Sequence, residues 1–221
     1  MSLLCLAAAL SACGGGGTKT SNAPDGQAPA PAQQQAPAPG CRRVPVPPPK
    51  PSGGQTKPKG KLDGTKRWSL DVETNCGSFT IALDVKSAPN AGASLVSLAK
   101  AGFFDGTIFT RIVPGFVIQG GDPTGGADGD PGYTTVDVPR RGTRYTRGVV
   151  AMAKGDSEPP GTGGSQFFVV TGQDAGLPPD YAFLGRVTKG IDVMDRIGAL
   201  GDPTTEKPTA VVEIQHMTVG H

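Results

Sequence analysis

Two stretches of the chain carry residue types at spacings that could do chemistry. Phe104 to Asp122 reads FDGTIFTRIVPGFVIQGGD, and Arg147 to Thr171 reads RGVVAMAKGDSEPPGTGGSQFFVVT. In the first, Ile108, Ile112 and Val113 surround a single cation, Arg111, and a Pro114-Gly115 turn leads into Phe116, Val117, Ile118 and Gln119. A guanidinium inside a β-type apolar run is expensive to bury unless something needs it there. In the second stretch, Ser165 to Val170 sets an amide and two adjacent aromatics in a strand. Neighbouring strand residues point to opposite faces, so Phe167 and Phe168 cannot do the same job. One can fill the core while the other lines a surface pocket.

An apolar slot beside a fixed donor suits rotation about a peptide bond to proline. Delocalisation of the nitrogen lone pair opposes that rotation by roughly 18–20 kcal/mol, and an X-Pro bond left to itself isomerises slowly. Catalysis here needs no nucleophile, metal or cofactor. It needs a pocket for the proline ring and a donor aimed at the nitrogen whose lone pair localises as the bond twists. Arg111 stays charged and presents a rigid fork. A rate gain of about 10⁴-fold requires roughly 5–6 kcal/mol of transition-state preference. One charge-assisted hydrogen bond contributes about 1.5–3 kcal/mol, so the remainder must come from a water-poor, preorganised groove.

At these residues the chain resembles the cyclophilin family of peptidyl-prolyl isomerases, matching FxRxxPGFxxQGGD and GSQFF at fixed spacing. Weaker similarity continues through Leu177, Phe183 to Val187 and Gly190 to Ile197, and so spans the chain from about Trp68 onward. The resemblance implies a mainly β fold: a closed antiparallel β-barrel of eight strands capped by two helices, with the peptide groove on its outer surface. It implies peptidyl-prolyl cis-trans isomerase activity on proline-containing polypeptides. Carried over residue by residue, Arg111 is similar to the catalytic arginine, Phe116, Val117, Phe168 and Leu177 to the proline pocket, and Gln119 to a backbone-positioning amide. Ala153 and Gln166 match groove-wall positions. Lys154 and Tyr181 fall where many members have a substrate-facing asparagine and histidine, Thr110 falls at another histidine, and Val117 at a methionine. The tryptophan that binds cyclosporin in many eukaryotic members falls at about Gly176, so drug binding is expected to be weak. Taken singly, Phe116, Val117 and Phe168 read as barrel core and Arg111 as a surface cation. Their joint spacing assigns them to a groove.

Rival motifs lack parts. Glu158 to Ser165, EPPGTGGS, imitates a nucleotide P-loop, but Glu158 replaces its first glycine, Gly164 replaces its lysine, and a strand follows where a helix is needed. Asp122, Asp128 and Asp130 miss the ligand alternation and closing glutamate of a calcium loop, and read as turn formers. The two histidines, His216 and His221, lie at the far C-terminus, so no Ser-His-Asp or Cys-His set and no His-rich zinc site is expected. No cofactor and no metal are expected.

Upstream, Leu3 to Leu10 is a short apolar run followed by Ser11, Ala12 and Cys13. It is too short to span a bilayer and resembles a bacterial lipoprotein signal, residues 1–12 being removed and Cys13 acylated. From residue 13 to 67 the chain is rich in Pro, Gly, Ala and Gln, and Val44 to Pro49 favours polyproline II. This reads as a disordered, partly stiff tether to a membrane-anchored, extracytoplasmic domain. Residues 14–67 hold nine Lys or Arg against two Asp, a net of +7; residues 68–221 hold twelve against seventeen acids, a net of −5. With a mildly acidic domain, no nucleic-acid partner is expected.

Residues 68–221 suit one monomeric domain with a single core. Alternation over Trp68 to Glu73 and Ser78 to Asp84 predicts a β-hairpin around Asn75-Cys76-Gly77. Ser87 and Pro89 predict the start of a helix carrying Ala91, Leu95, Leu98 and Ala99; Ile191, Met194 and Ile197 mark a second, and 210–219 a closing strand. With Cys5 leaving in the signal and Cys13 acylated, Cys41 and Cys76 remain, and in an oxidising compartment they are expected to be joined. The leading function is an isomerase assisting exported-protein folding. The alternatives are an X-Pro-binding chaperone without useful turnover and an envelope interaction module.

Overall fold

The computed structural model describes residues 39–220. The readings made for the signal segment 1–12, for Cys13 and for 13–38 lie outside the described residues. The predicted hairpin is β1 (Ser69–Thr74) and β2 (Gly77–Leu83), turning at Asn75-Cys76. There follow α1 (Pro89–Lys100), β3 (Thr107–Val113), β4 (Val117–Asp122), β5 (Thr135–Val136), β6 (Val149–Met152), β7 (Thr162–Gly163), β8 (Phe167–Val170), β9 (Phe183–Lys189), α2 (Ile191–Gly198) and β10 (Glu213–Gly220). Eight of the strands close a barrel in the order β1-β10-β3-β4-β8-β6-β9-β2, antiparallel at each pairing, while β5 and β7 pair outside it. The closing strand starts at Glu213, three residues after its predicted start.

Two apolar bodies account for the composition of the strands. Inside the barrel Phe104, Phe109 and Phe167 meet edge to face, with centroids 6.1 and 6.4 Å apart, among Leu70, Ile112, Ile118 and Val169. Outside it, Val117, Tyr145, Val149, Ala151, Phe168 and Val170 form a second cluster. Strands β6 (VVAM) and β8 (FFVV) are therefore buried on both faces and show no apolar-polar alternation. Burying each such aromatic or branched side chain stabilises the fold by about 1.5–3 kcal/mol.

Helix α1 starts as predicted at Pro89, but its N-cap is Ala88 and not Ser87. The Ser87 hydroxyl donates to Asp84 at 2.8 Å. The unpaired helical N–H groups of Asn90 and Ala91 donate instead to the carboxylate of Asp137, at 3.0 and 2.6 Å. An anion at a helix N-terminus satisfies both the donors and the dipole.

The tether expected to run to residue 67 is corrected over its second half. Cys41 and Cys76 are joined by a disulfide across 35 residues, Arg42 N–H donates to Asn75 O at 2.8 Å, and Asn75 Nδ2 donates back to Arg42 O at 2.7 Å. Further along, Lys50 Nζ donates to the carbonyls of Gly102 and Phe103 beyond the end of α1, at 3.2 and 2.8 Å. Composition correctly reports that this stretch has no core of its own. It does not report that a neighbouring surface supplies partners for its backbone.

Candidate functional site

Arg111 reaches the outside of the barrel because β3 is bulged. Phe109 pairs with Gly120 and Arg111 with Gln119, so Thr110 is an extra residue in the ladder. Strict alternation from Phe109 would turn Arg111 inward and Ile112 outward. The inserted Thr110 reverses the phase: Phe109 and Ile112 both face the core at 0% exposure, and Arg111 lies half-buried on the outer face. The next turn is tight, with Phe116 N–H donating to Val113 O at 3.0 Å and Gly115 at φ +70°, a conformation that suits glycine after Pro114. Phe116 O then accepts from Thr171 and Gly172, which fixes the turn against the end of β8.

These elements enclose a cavity of about 290 Å³. Phe116, Val117, Phe168 and Leu177 give its apolar lining, and Arg111 and Gln119 stand on one wall. Ala153, Lys154 and Tyr181 complete the lining with Asp156, which the sequence reading did not include. Gln166 lies next door, in an adjoining cavity that also takes in Gln119, Ala153 and Lys154. Its carbonyl oxygen accepts from Gln119 Nε2 at 3.1 Å, which orients the Gln119 amide. Lys154 Nζ donates to Gly155 O and Glu158 O at 3.1 Å each and sits 5.7 Å from the Tyr181 ring centroid. It closes its own turn as well as bordering the groove.

Two residues that sequence reasoning missed hold the others in place. Tyr145, fully buried, donates its hydroxyl to Tyr181 O at 2.5 Å and accepts from Tyr181 N–H at 3.0 Å, and its ring packs against both Phe168 and Tyr181. Burial pushes the Tyr145 phenol up to about 12, so it remains a neutral donor. Glu206 accepts from Arg111 Nε at 2.6 Å, while the guanidinium carbon lies 5.8 Å from the Phe116 ring centroid. The bond to Glu206 uses Nε, and Arg111 itself lines the groove. Glu206 occupies the left-handed region at φ +60°, held by Ile112 N–H on its carbonyl at 2.9 Å and by its own N–H on Asp202 O at 2.8 Å. The Arg111 guanidinium in turn holds the Glu206 carboxyl below the usual glutamate range. No spacing signal could expose this pair, since its members are 95 residues apart.

Asp122 serves the wall of the adjoining cavity. Its carboxylate accepts from the N–H groups of Thr124, Gly125 and Gly129 at 2.6, 3.0 and 2.7 Å, so the acid organises a loop, as its turn-forming neighbours suggested. An apolar slot, a fixed cation and an oriented amide on one outer face can hold a proline ring, its flanking carbonyl and a twisting nitrogen together.

Comparison with known proteins agrees with this geometry. Residues 69–219 match the family model described as cyclophilin type peptidyl-prolyl cis-trans isomerase/CLD. The chain is 33% identical over 149 residues to peptidyl-prolyl cis-trans isomerase CYP18-2 of Arabidopsis thaliana, covering 66% of this chain and 89% of that one. It is 36% identical over 129 residues to a peptidyl-prolyl cis-trans isomerase of Helicobacter pylori, covering 57% and 77%. Among solved structures, a cyclophilin type isomerase of Cryptosporidium parvum superposes with a TM-score of 0.65 at 26% identity, over 71% of this chain and 99% of that one. The chain belongs to the cyclophilin family.

This cyclophilin is a peptidyl-prolyl cis-trans isomerase. Its family match starts at Ser69, at the first barrel strand, so the disulfide-bound segment before it is an addition to the family fold.

Proposed function

We propose that this cyclophilin isomerises X-Pro bonds in exported proteins, working as a monomer held at the outer face of a bacterial membrane by an acylated Cys13. The observation that carries the extracytoplasmic part is the Cys41–Cys76 disulfide, a bond that persists in oxidising compartments and is rare in the cytosol. Leu3 to Leu10 followed by Ser11-Ala12-Cys13 supports the anchor, since two acyl chains suffice for stable attachment. Residues between Cys13 and Cys41 give the domain reach from the bilayer.

In the groove, the proline ring enters the slot of Phe116, Val117, Phe168 and Leu177, and Gln119 bonds the neighbouring backbone. As the bond twists, the nitrogen pyramidalises and its lone pair becomes a basic acceptor, to which Arg111 donates. Glu206 holds the guanidinium in place, so the donor need not reorganise at the transition state. No nucleophile, metal or cofactor enters the cycle. The Cryptosporidium parvum neighbour has also been solved in the presence of the dipeptide Ala-Pro, which makes an Ala-Pro peptide the first substrate to try.

The test of address and anchor uses native protein. Intact-mass analysis should show a chain beginning at diacylated Cys13, and Cys13→Ala should release the protein from membranes. An unlipidated native chain, or one with Cys41 and Cys76 both freely alkylated, would contradict this reading.

A further inference from the structure

The segment that precedes the family match is docked on one wall of the site. From residue 41 to 53 every third position turns toward the domain: Cys41, Val44, Pro47, Lys50 and Gly53 are half-buried and the residues between them are exposed. Three residues per turn is the period of polyproline II, and a proline-rich chain populates that helix before it binds. Docking it therefore costs little conformational freedom. The disulfide fixes its near end. Its far end runs against the loop 123–134, where Lys50 N–H donates to Pro123 O at 2.8 Å, Gly53 N–H to Asp130 O at 2.8 Å and Gln55 N–H to Pro131 O at 3.0 Å. Lys57 Nζ donates to Thr134 O at 2.7 Å. Gly53 and Gly132 pass backbone against backbone: both have positive φ, and a Cβ on Gly132 would lie 3.1 Å from Gly53 Cα.

The same loop walls the cavity beside the proline groove. That cavity, about 260 Å³, shares Gln119, Ala153 and Lys154 with the groove, and Asp130 and Thr134 line it. The first half of the loop is held from within the domain, by Asp122 and by Gln166 Nε2, which donates to Ala127 O and Gly129 O at 2.8 and 3.2 Å. Residues 130–134 depend more on the docked segment, alongside the contact of the Tyr133 hydroxyl with Ser94 at 3.0 Å. Because the two cavities share these residues, a peptide seated in the groove brings its neighbouring side chains beside the second cavity.

We propose that residues 41–57 are a specificity device: docked through a stretch of three-residue period and the glycine turn that ends it, they fix the 130–134 wall and so set which side chains flanking the X-Pro bond the second cavity accepts. This rests on the isomerase reading of the groove. The test uses the full-length protein in three forms. Gly53→Val places a branched side chain at a left-handed position against Gly132, while Cys41→Ser combined with Cys76→Ala frees the near end. Exchange spectroscopy on X-Pro peptides, with each flanking position varied in turn through Gly, Leu, Lys and Glu, gives kcat/KM for each form, and amide hydrogen exchange reports the wall. Both variants should turn over a minimal Ala-Pro peptide within about twofold of the native chain while the spread between best and worst flanking residue shrinks by about tenfold, the scale of single-pocket discrimination. Amides of 130–134 should exchange faster. Folded variants with the native spread would overturn this proposal, and so would a native chain with no spread. A native chain that accelerates no peptide would overturn the isomerase reading itself.

Discussion

Phe167 and Phe168 are neighbours in sequence and almost equally buried, at 1% and 4% exposure, yet they belong to different parts of the molecule. Phe167 packs between Phe104 and Phe109 in the closed interior, where every contact is made by the fold itself. Phe168 lies 5.4 Å, centroid to centroid, from Tyr181 on the outer face, where one side of the ring borders a cavity. The same division runs through Ile112 and Arg111, and through Ile118 and Gln119. One face of each strand is complete without a ligand and the other is not, so burial by itself does not separate a core residue from a binding residue. What separates them is whether the packing closes.

Three substitutions put that division at risk, in decreasing order of effect. Phe167→Ala removes a ring from a closed interior and should cost about 3–5 kcal/mol of stability, read as a large fall in melting temperature. A small shift would mean the interior collapses around the loss. Phe168→Ala should leave the barrel folded by circular dichroism, with a smaller melting shift, and raise KM for a proline peptide as well as lowering the rate. An unchanged KM would move Phe168 to the structural side of the comparison. Glu206→Gln should have the mildest effect, lowering kcat a few-fold at nearly constant KM, because the amide can still accept from Arg111 Nε but no longer carries the charge that holds the guanidinium.

Glu206 also sets a pH dependence. Its carboxyl is depressed by Arg111, so the pair is fully formed above the ordinary glutamate range and is lost only as pH falls through the lowered value. The rate should stay level through the ordinary glutamate range and fall only below it, as the depressed carboxyl takes up its proton. Glu206→Gln should show no such acid limb in kcat. An acid limb that survives the substitution would belong to another group.

The barrel strands, the two helices and the groove residues were legible because they are written in local patterns and fixed spacings. FxRxxPGFxxQGGD spans β3, its turn and β4, and GSQFF runs into β8 with Gln166 just before the strand and not in it as expected, so chain order keeps their members together in space. Three features were not legible, for distinct reasons. The Thr110 bulge follows from the register of β3 against β4, and nothing in TIFTRIV marks the inserted residue. Glu206 and Tyr145 reach the site from loops distant in sequence, and an isolated glutamate or tyrosine carries no signal. The docking of 41–57 beyond the expected disulfide is not legible, because its partners are carbonyls of another loop and backbone partners leave no trace in composition.

The central claim is that Arg111 is the donor to the twisting nitrogen, and two-dimensional NMR exchange on an Ala-Pro peptide tests it directly. The native protein should accelerate cis–trans exchange without added metal or nucleotide. Arg111→Ala, confirmed as folded by circular dichroism, should lose about 3–4 kcal/mol of transition-state stabilisation and slow exchange by roughly 10²–10³-fold. Arg111→Lys should recover little of this, since a point charge on a flexible stem does not reproduce the planar fork held by Glu206. A folded Arg111→Ala protein that exchanges the peptide at the native rate would contradict the mechanism, and a native protein that binds the peptide without accelerating exchange would contradict the assignment of the groove as catalytic.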